Sequence, residues 1–121
     1  MADPSALSPP ELVADLAAQL QPLELELAES WWESNTESSP AAEERRTTAE
    51  LARREFLADP VRFAAVRAAR DAVSSDDDPL LRRQLDVLYD GFVPHQVPAD
   101  LRRAVVELET RVESVFNNFR G

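Results

Sequence analysis

The placement of proline constrains this chain more than any other feature. Four times a side chain that caps helices is followed directly by proline: Ser8-Pro9, Ser39-Pro40, Asp59-Pro60 and Asp78-Pro79. Proline suits the first turn of a helix, where its missing N–H would have no partner anyway. A Ser or Asp before it accepts a hydrogen bond from one of the free backbone amides. Ser8 and Glu11 add the spacing of a capping box. Val97-Pro98 is a fifth start, weaker because no capping side chain precedes it. Five of the 9 Pro thus read as helix beginnings, in a chain with only 2 Gly.

Apolar spacing agrees. In the last segment Leu101, Val105, Leu108, Val112, Val115 and Phe119 follow one another at intervals of 4, 3, 4, 3 and 4 residues. That spacing predicts one stripe on one long helix, a seam for bundle packing. Val13, Leu16, Leu20, Leu23, Leu27 and Trp31 form the matching stripe of the first segment, with Pro22 inside it as an expected kink or lost backbone bond. The fourth segment places Leu81, Leu85, Leu88 and Phe92 on one face, and Gly91 is read as its stop. The Ala-rich second and third segments would rest on Leu51, Phe56, Leu57, Phe63, Val66 and Val73. No stretch alternates with period two for long enough to make a strand. The expected fold is an all-α bundle of five helices, over about 9–34, 40–58, 60–73, 79–91 and 98–120. Residues 1–7 are read as a flexible tail and 8–121 as a single helical domain.

Charge is distributed unevenly. The 121 residues carry 13 basic side chains, all Arg, against 23 acidic ones, for a net charge of −10. Residues 1–44 contain acids and no base at all. Such a segment is either a solvated face or one that meets cations, from a partner or from an Arg-rich face of the same molecule. A nucleic-acid backbone is excluded as partner by this charge. No Cys is present, so neither a disulfide framework nor a thiolate metal site is available. No apolar run reaches the roughly 18 residues of a membrane span, so no membrane partner is expected. The first residues lack a basic stretch leading into an apolar one, which predicts no secretory leader and a cytoplasmic location.

Chemistry-bearing patterns are sparse. The lone His95 sits between Pro94 and Pro98 in a connecting loop, and no H-E-x-x-H or nucleophile motif surrounds it. Glu26, Glu29 and Glu33 line one helix face and repel one another, so the row needs water or a counter-charge. Asp76-Asp77-Asp78 lacks the ligand spacing of a calcium loop and suits helix capping better. Trp31-Trp32 is the most unusual pair: Trp31 fits the apolar stripe and Trp32 falls on its flank, where it could pack or form an interface. Asn35-Thr36 should end that helix through local side-chain bonds.

Trp32-Glu33-Ser34-Asn35-Thr36 resembles the W-x-x-N-T element near the start of zinc peptidases similar to angiotensin-converting enzyme and the bacterial oligoendopeptidases. The run from Asp78-Pro79-Leu80 to Arg83-Gln84 resembles their following D-P-L-x-x-R-Q segment. Leu108-Glu109 and the F-x-x-F-R of Phe116, Phe119 and Arg120 resemble the end of their next helix. The resemblance covers about residues 10–121. It implies an N-terminal helical lid over a channel that admits short peptides, with the zinc-binding helix much further along the polypeptide. Trp32, Asn35 and Asp78-Pro79 would then be structural elements of the lid. No zinc ligand or catalytic residue carries over to this chain, so the expectation is a non-catalytic segment without its own cofactor. Its partner would be the rest of a peptidase chain. The alternative is a stand-alone acidic interaction module that meets another protein through Trp31, Trp32, Asn35, Glu26, Glu29 and Glu33. Val106 and Phe116 lie off the last seam, which adds a possible homodimer.

Overall fold

The computed structural model describes residues 3–119. Five helices make an all-α bundle: α1 (Pro9–Glu37), α2 (Pro40–Leu57), α3 (Pro60–Ala72), α4 (Pro79–Phe92) and α5 (Ala99–Asn118). Each proline start works as its chemistry dictates. Ser8 Oγ accepts from the Glu11 N–H at 3.4 Å while Glu11 Oε1 accepts from the Ser8 N–H at 3.2 Å, closing the capping box. Ser39, Asp59 and Asp78 accept from Ala42, Val61 and Leu81 at 3.1, 2.9 and 3.1 Å. Pro98 caps α5 with no side-chain bond, as the missing Ser or Asp foretold.

α1 and α2 form an antiparallel hairpin across Ser38 and Ser39. Ser38 makes the reversal at φ 51°, φ ψ values of the left-handed region that commonly end helices. The antiparallel sense is read from the ion pairs, Glu33 with Arg45 near the turn and Glu24 with Arg53 further away. The core lies at the open end of this hairpin. There Leu12 and Leu16 of α1, Phe56 and Leu57 of α2, Ala65, Val66 and Ala69 of α3, and Leu85 and Phe92 of α4 are buried together. The Phe56 and Phe92 rings meet at 6.1 Å between centroids, and Phe63 stacks on Tyr89 at 5.6 Å. Arg70 of α3 bonds Asp86 of α4 at 2.7 Å, and Arg82, which bonds Asp86 within α4 at 3.1 Å, donates back to the Arg70 carbonyl at 3.1 Å, tying α3 to α4. Hydrogen bonding from Arg70, then from Arg82, holds the Asp86 carboxyl below its ordinary range.

Several local expectations change. Part of the segment read as a tail is ordered: Pro4–Ala6 is one 3-10 turn capped by Asp3, and Leu7 packs against the core. α1 runs to Glu37 rather than 34, because Asn35 and Thr36 donate back to the carbonyls of Trp31 and Trp32 at 2.8 and 2.9 Å and extend the helix instead of ending it. Pro22 sits within α1 without interrupting it. Gly91 is not the stop of α4, which continues to Phe92 so that this ring is fully buried. Leu51 is exposed rather than core. α5 ends at Asn118 rather than 120, with Phe119 in extended backbone after it; the first two residues of the tail and Arg120 lie outside the described residues.

Core and periphery should therefore respond very differently to truncation. Phe92→Ala should destabilise the chain by about 3–5 kcal/mol, from lost apolar transfer and a cavity. Val115→Ala on α5 should change stability by less than about 0.5 kcal/mol. Urea unfolding followed by circular dichroism measures both.

Candidate functional site

The one helix with no buried residue is α5. The expectation that its apolar seam closes the bundle is overturned, for a reason visible in its neighbours. α2 offers α5 two guanidiniums, and these take its acids: Arg54 with Glu109 at 2.9 Å and Arg46 with Glu113 at 3.5 Å. Between the helices lies a cleft of about 470 Å³ lined on the α5 side by Val106, Glu109, Thr110, Glu113, Ser114 and Asn117. α5 thus rests on the body by a polar face. At roughly 100° per residue, the arc of Leu101, Val105, Leu108, Val112 and Phe116 points roughly 120° away from that contact. Leu108 is 56% exposed, Val112 69%, Val115 73% and Phe116 80%. A third face, with Arg103, Glu107 and Arg111, carries the charges a solvent-facing side needs. The apolar arc is therefore surplus to solubility and to the core alike. Globular monomers rarely leave an apolar patch of this extent uncovered without a use for it.

The tryptophans lie beside this face. Trp31, expected on the core stripe, is 50% exposed and Trp32 is 67% exposed. In this stretch of the hairpin the buried residues are small, Ser30 on α1 with Ala42 and Ala49 on α2. Helices that approach so closely leave no room for an indole, and one step around the helix turns Trp31 outward. Both rings line an open groove with Leu27, Ala28, Arg46 and Glu50. Arg46 and Glu50 also line the cleft beneath α5, while Glu109 and Glu113 are shared by that cleft and the apolar patch. Trp32, α2 and the α5 arc are thus continuous surface.

The acidic row finds its counter-charge inside the molecule. Arg45 reaches across from α2, donating from Nε to Glu26 at 2.8 Å, lying 3.6 Å from Glu29, and bonding Glu33. Hydrogen bonding by Arg45 holds the Glu26 carboxyl below its ordinary range. These three acids are therefore a clamp on the hairpin before they are a surface for anything else. Asn35 is likewise occupied by its bond to the Trp31 carbonyl. Of the six residues singled out by sequence, Trp31 and Trp32 remain free for contact. Sequence inspection missed Arg45 and Arg46, whose only signal was the Arg cluster starting where the acidic segment ends; the i,i+4 spacing of Glu50 and Arg54 foretold their bond at 2.9 Å, though not the reach of Arg54 to Glu109.

The joint between α4 and α5 is polar. Gln96 Nε2 donates to the Leu57 carbonyl at 2.7 Å and the Phe92 carbonyl at 3.3 Å, fixing the connector on the end of α2. His95 beside it is disfavoured as a cation by burial and by Arg53, Arg54 and Arg102. Among the described residues, no three His, Asp or Glu side chains converge into a group that could hold a metal ion. Among them too, no helix is long and apolar enough to cross a membrane. Comparison with family models, with curated proteins and with solved structures returns no match.

Two measurements test this arrangement. High salt screens the ion pairs under α5, so hydrogen exchange of α5 amides should quicken several-fold in about 1 M NaCl, while amides of α4 hold steady. For His95 the folded state disfavours the proton, so its contribution to stability is present above the usual pKa of 6.5 and lost as pH falls through the lowered folded value. His95→Gln should flatten that limb of a plot of melting temperature against pH.

Proposed function

We propose that this chain acts by contact: it is a non-catalytic helical segment whose α5 face and adjoining tryptophans dock another structure. The outward apolar arc of α5 carries this reading, since among the described residues no other element covers it. The resemblance of Trp32, Asn35, Asp78-Pro79 and the α5 pattern to the start of zinc oligopeptidases gives the contact a setting. There the chain would be the lid-like N-terminal region, with zinc and the catalytic groups supplied by the remainder of the enzyme. α5 would be the helix that joins lid to body. A stand-alone interaction module is the second reading, favoured by the exposure of both Trp31 and Trp32. The acidic row supports it less, because Arg45 already occupies those carboxylates.

At dilute protein the dye anilinonaphthalene sulfonate should bind the folded chain. Leu108→Glu with Val112→Glu should remove most of that signal and leave far-ultraviolet helicity unchanged. Dye binding that is absent, or the same in the variant, overturns the docking reading. Zinc and a short peptide added to the purified chain should give no hydrolysis; zinc-dependent turnover stopped by a chelator overturns the non-catalytic one.

A further inference from the structure

The arc on α5 is long, regular and symmetric about its own middle, and this says what can cover it. Reading its spacing backwards gives the same intervals. An identical helix laid antiparallel can therefore match it over the full length. Within the helix Val105 then faces Val115 of the second copy and Leu108 faces Val112, while Leu101 comes to the end of the second helix, where Phe119 follows in extended backbone. α5 has 20 residues, so the shared seam is about 30 Å long.

We propose that a second copy of this chain covers the α5 arc, in a two-fold dimer held by antiparallel pairing of α5 with α5. This rests on the reading of α5 as a docking face and names its occupant for the separate chain.

Three observations support it. The first is area. Seven apolar side chains of α5 and its C-cap, from Val105 at 42% to Phe116 at 80% exposed, are open surface that such a contact would cover. The second is charge. The net −10 belongs to residues 1–44, whereas α5 from Ala99 to Asn118 holds three Arg against four acids. Its helix–helix seam therefore meets little net repulsion. The two-fold also brings Glu109 towards its counterpart, but each is already paired with Arg54 of its own chain at 2.9 Å. The third is clearance. The body contacts α5 roughly 120° around from the seam, so the two bodies splay apart. An isologous contact of this kind closes on itself, stops at two chains and needs no other partner.

The chain has no Cys, so single cysteines report cleanly. Light scattering over about 1 µM to 1 mM should show the mass rising to twice the 13.5 kDa of one chain. Leu108→Glu should weaken this association at least a hundredfold without loss of helicity, because the residue is exposed in the single chain. An oxidised mixture of Leu108→Cys and Val112→Cys chains should give mainly the mixed disulfide. A mass that stays at one chain throughout overturns the dimer; if the dye still binds α5, the docking reading survives that result. Disulfides of Leu108→Cys with itself as the main product overturn the antiparallel register. Association that Leu108→Glu leaves intact overturns the α5 seam.

Discussion

Two guanidiniums on α2 decide which way α5 faces. Arg46 and Arg54 accept Glu113 and Glu109 as partners, and no apolar surface on α2 competes for the other side of the helix. The residue that could have competed, Leu51, lies near the cleft but is exposed. Exposed ion pairs such as these are weak individually, typically under about 1 kcal/mol. They orient α5 without anchoring it, in contrast with the buried Phe56, Phe92 and Leu85 that lock α4. The chain therefore divides into a four-helix core and a fifth helix whose apolar side that core leaves exposed.

The hairpin shows the same logic of polar contacts setting position. Ser30, Ala42 and Ala49 allow α1 and α2 to approach closely, and Arg45 gathers Glu26, Glu29 and Glu33 across the gap. Removal of Arg45 would leave three neighbouring carboxylates facing one another on α1, with only solvent to separate them. A close hairpin has a cost in buried surface, since small residues bury little. Its other consequence is the displacement of Trp31 from the interior. The exposed indoles are thus a product of the small-residue interface, and they fall on surface continuous with the α5 arc through Arg46.

Helix positions were largely legible in the sequence because each is specified locally. Ser8, Ser39, Asp59 and Asp78 act on amides two or three residues away, so their effect does not depend on the rest of the fold. The ends were less legible. Asn35 and Thr36 can stop a helix or extend it according to whether their side chains find an N–H or the carbonyl four residues back, and here they find the carbonyl. The burial of each stripe was least legible of all. Periodicity states that a helix has an apolar side and is silent about whether another element will meet it. Identical spacing on α4 and α5 leads to a buried Leu85 in one case and an exposed Leu108 in the other.

What separates those two helices is the chain around them. α4 follows α3 across a short link and is drawn onto it by Asp86, whose carboxylate takes both Arg70 and Arg82; Arg82 also donates to the Arg70 and Val73 carbonyls that end α3. α5 leaves α4 through a connector pinned to α2 by Gln96, and by then the apolar faces of α1 to α4 are already turned on one another. A fifth amphipathic helix arriving at a closed core can offer only its polar side inward. The regular spacing on its other side is then no accident of composition, because a helix meant only for solvent would have no reason to keep apolar residues at heptad positions through five consecutive intervals. The pattern is that of an amphipathic helix whose apolar side the four-helix core leaves uncovered.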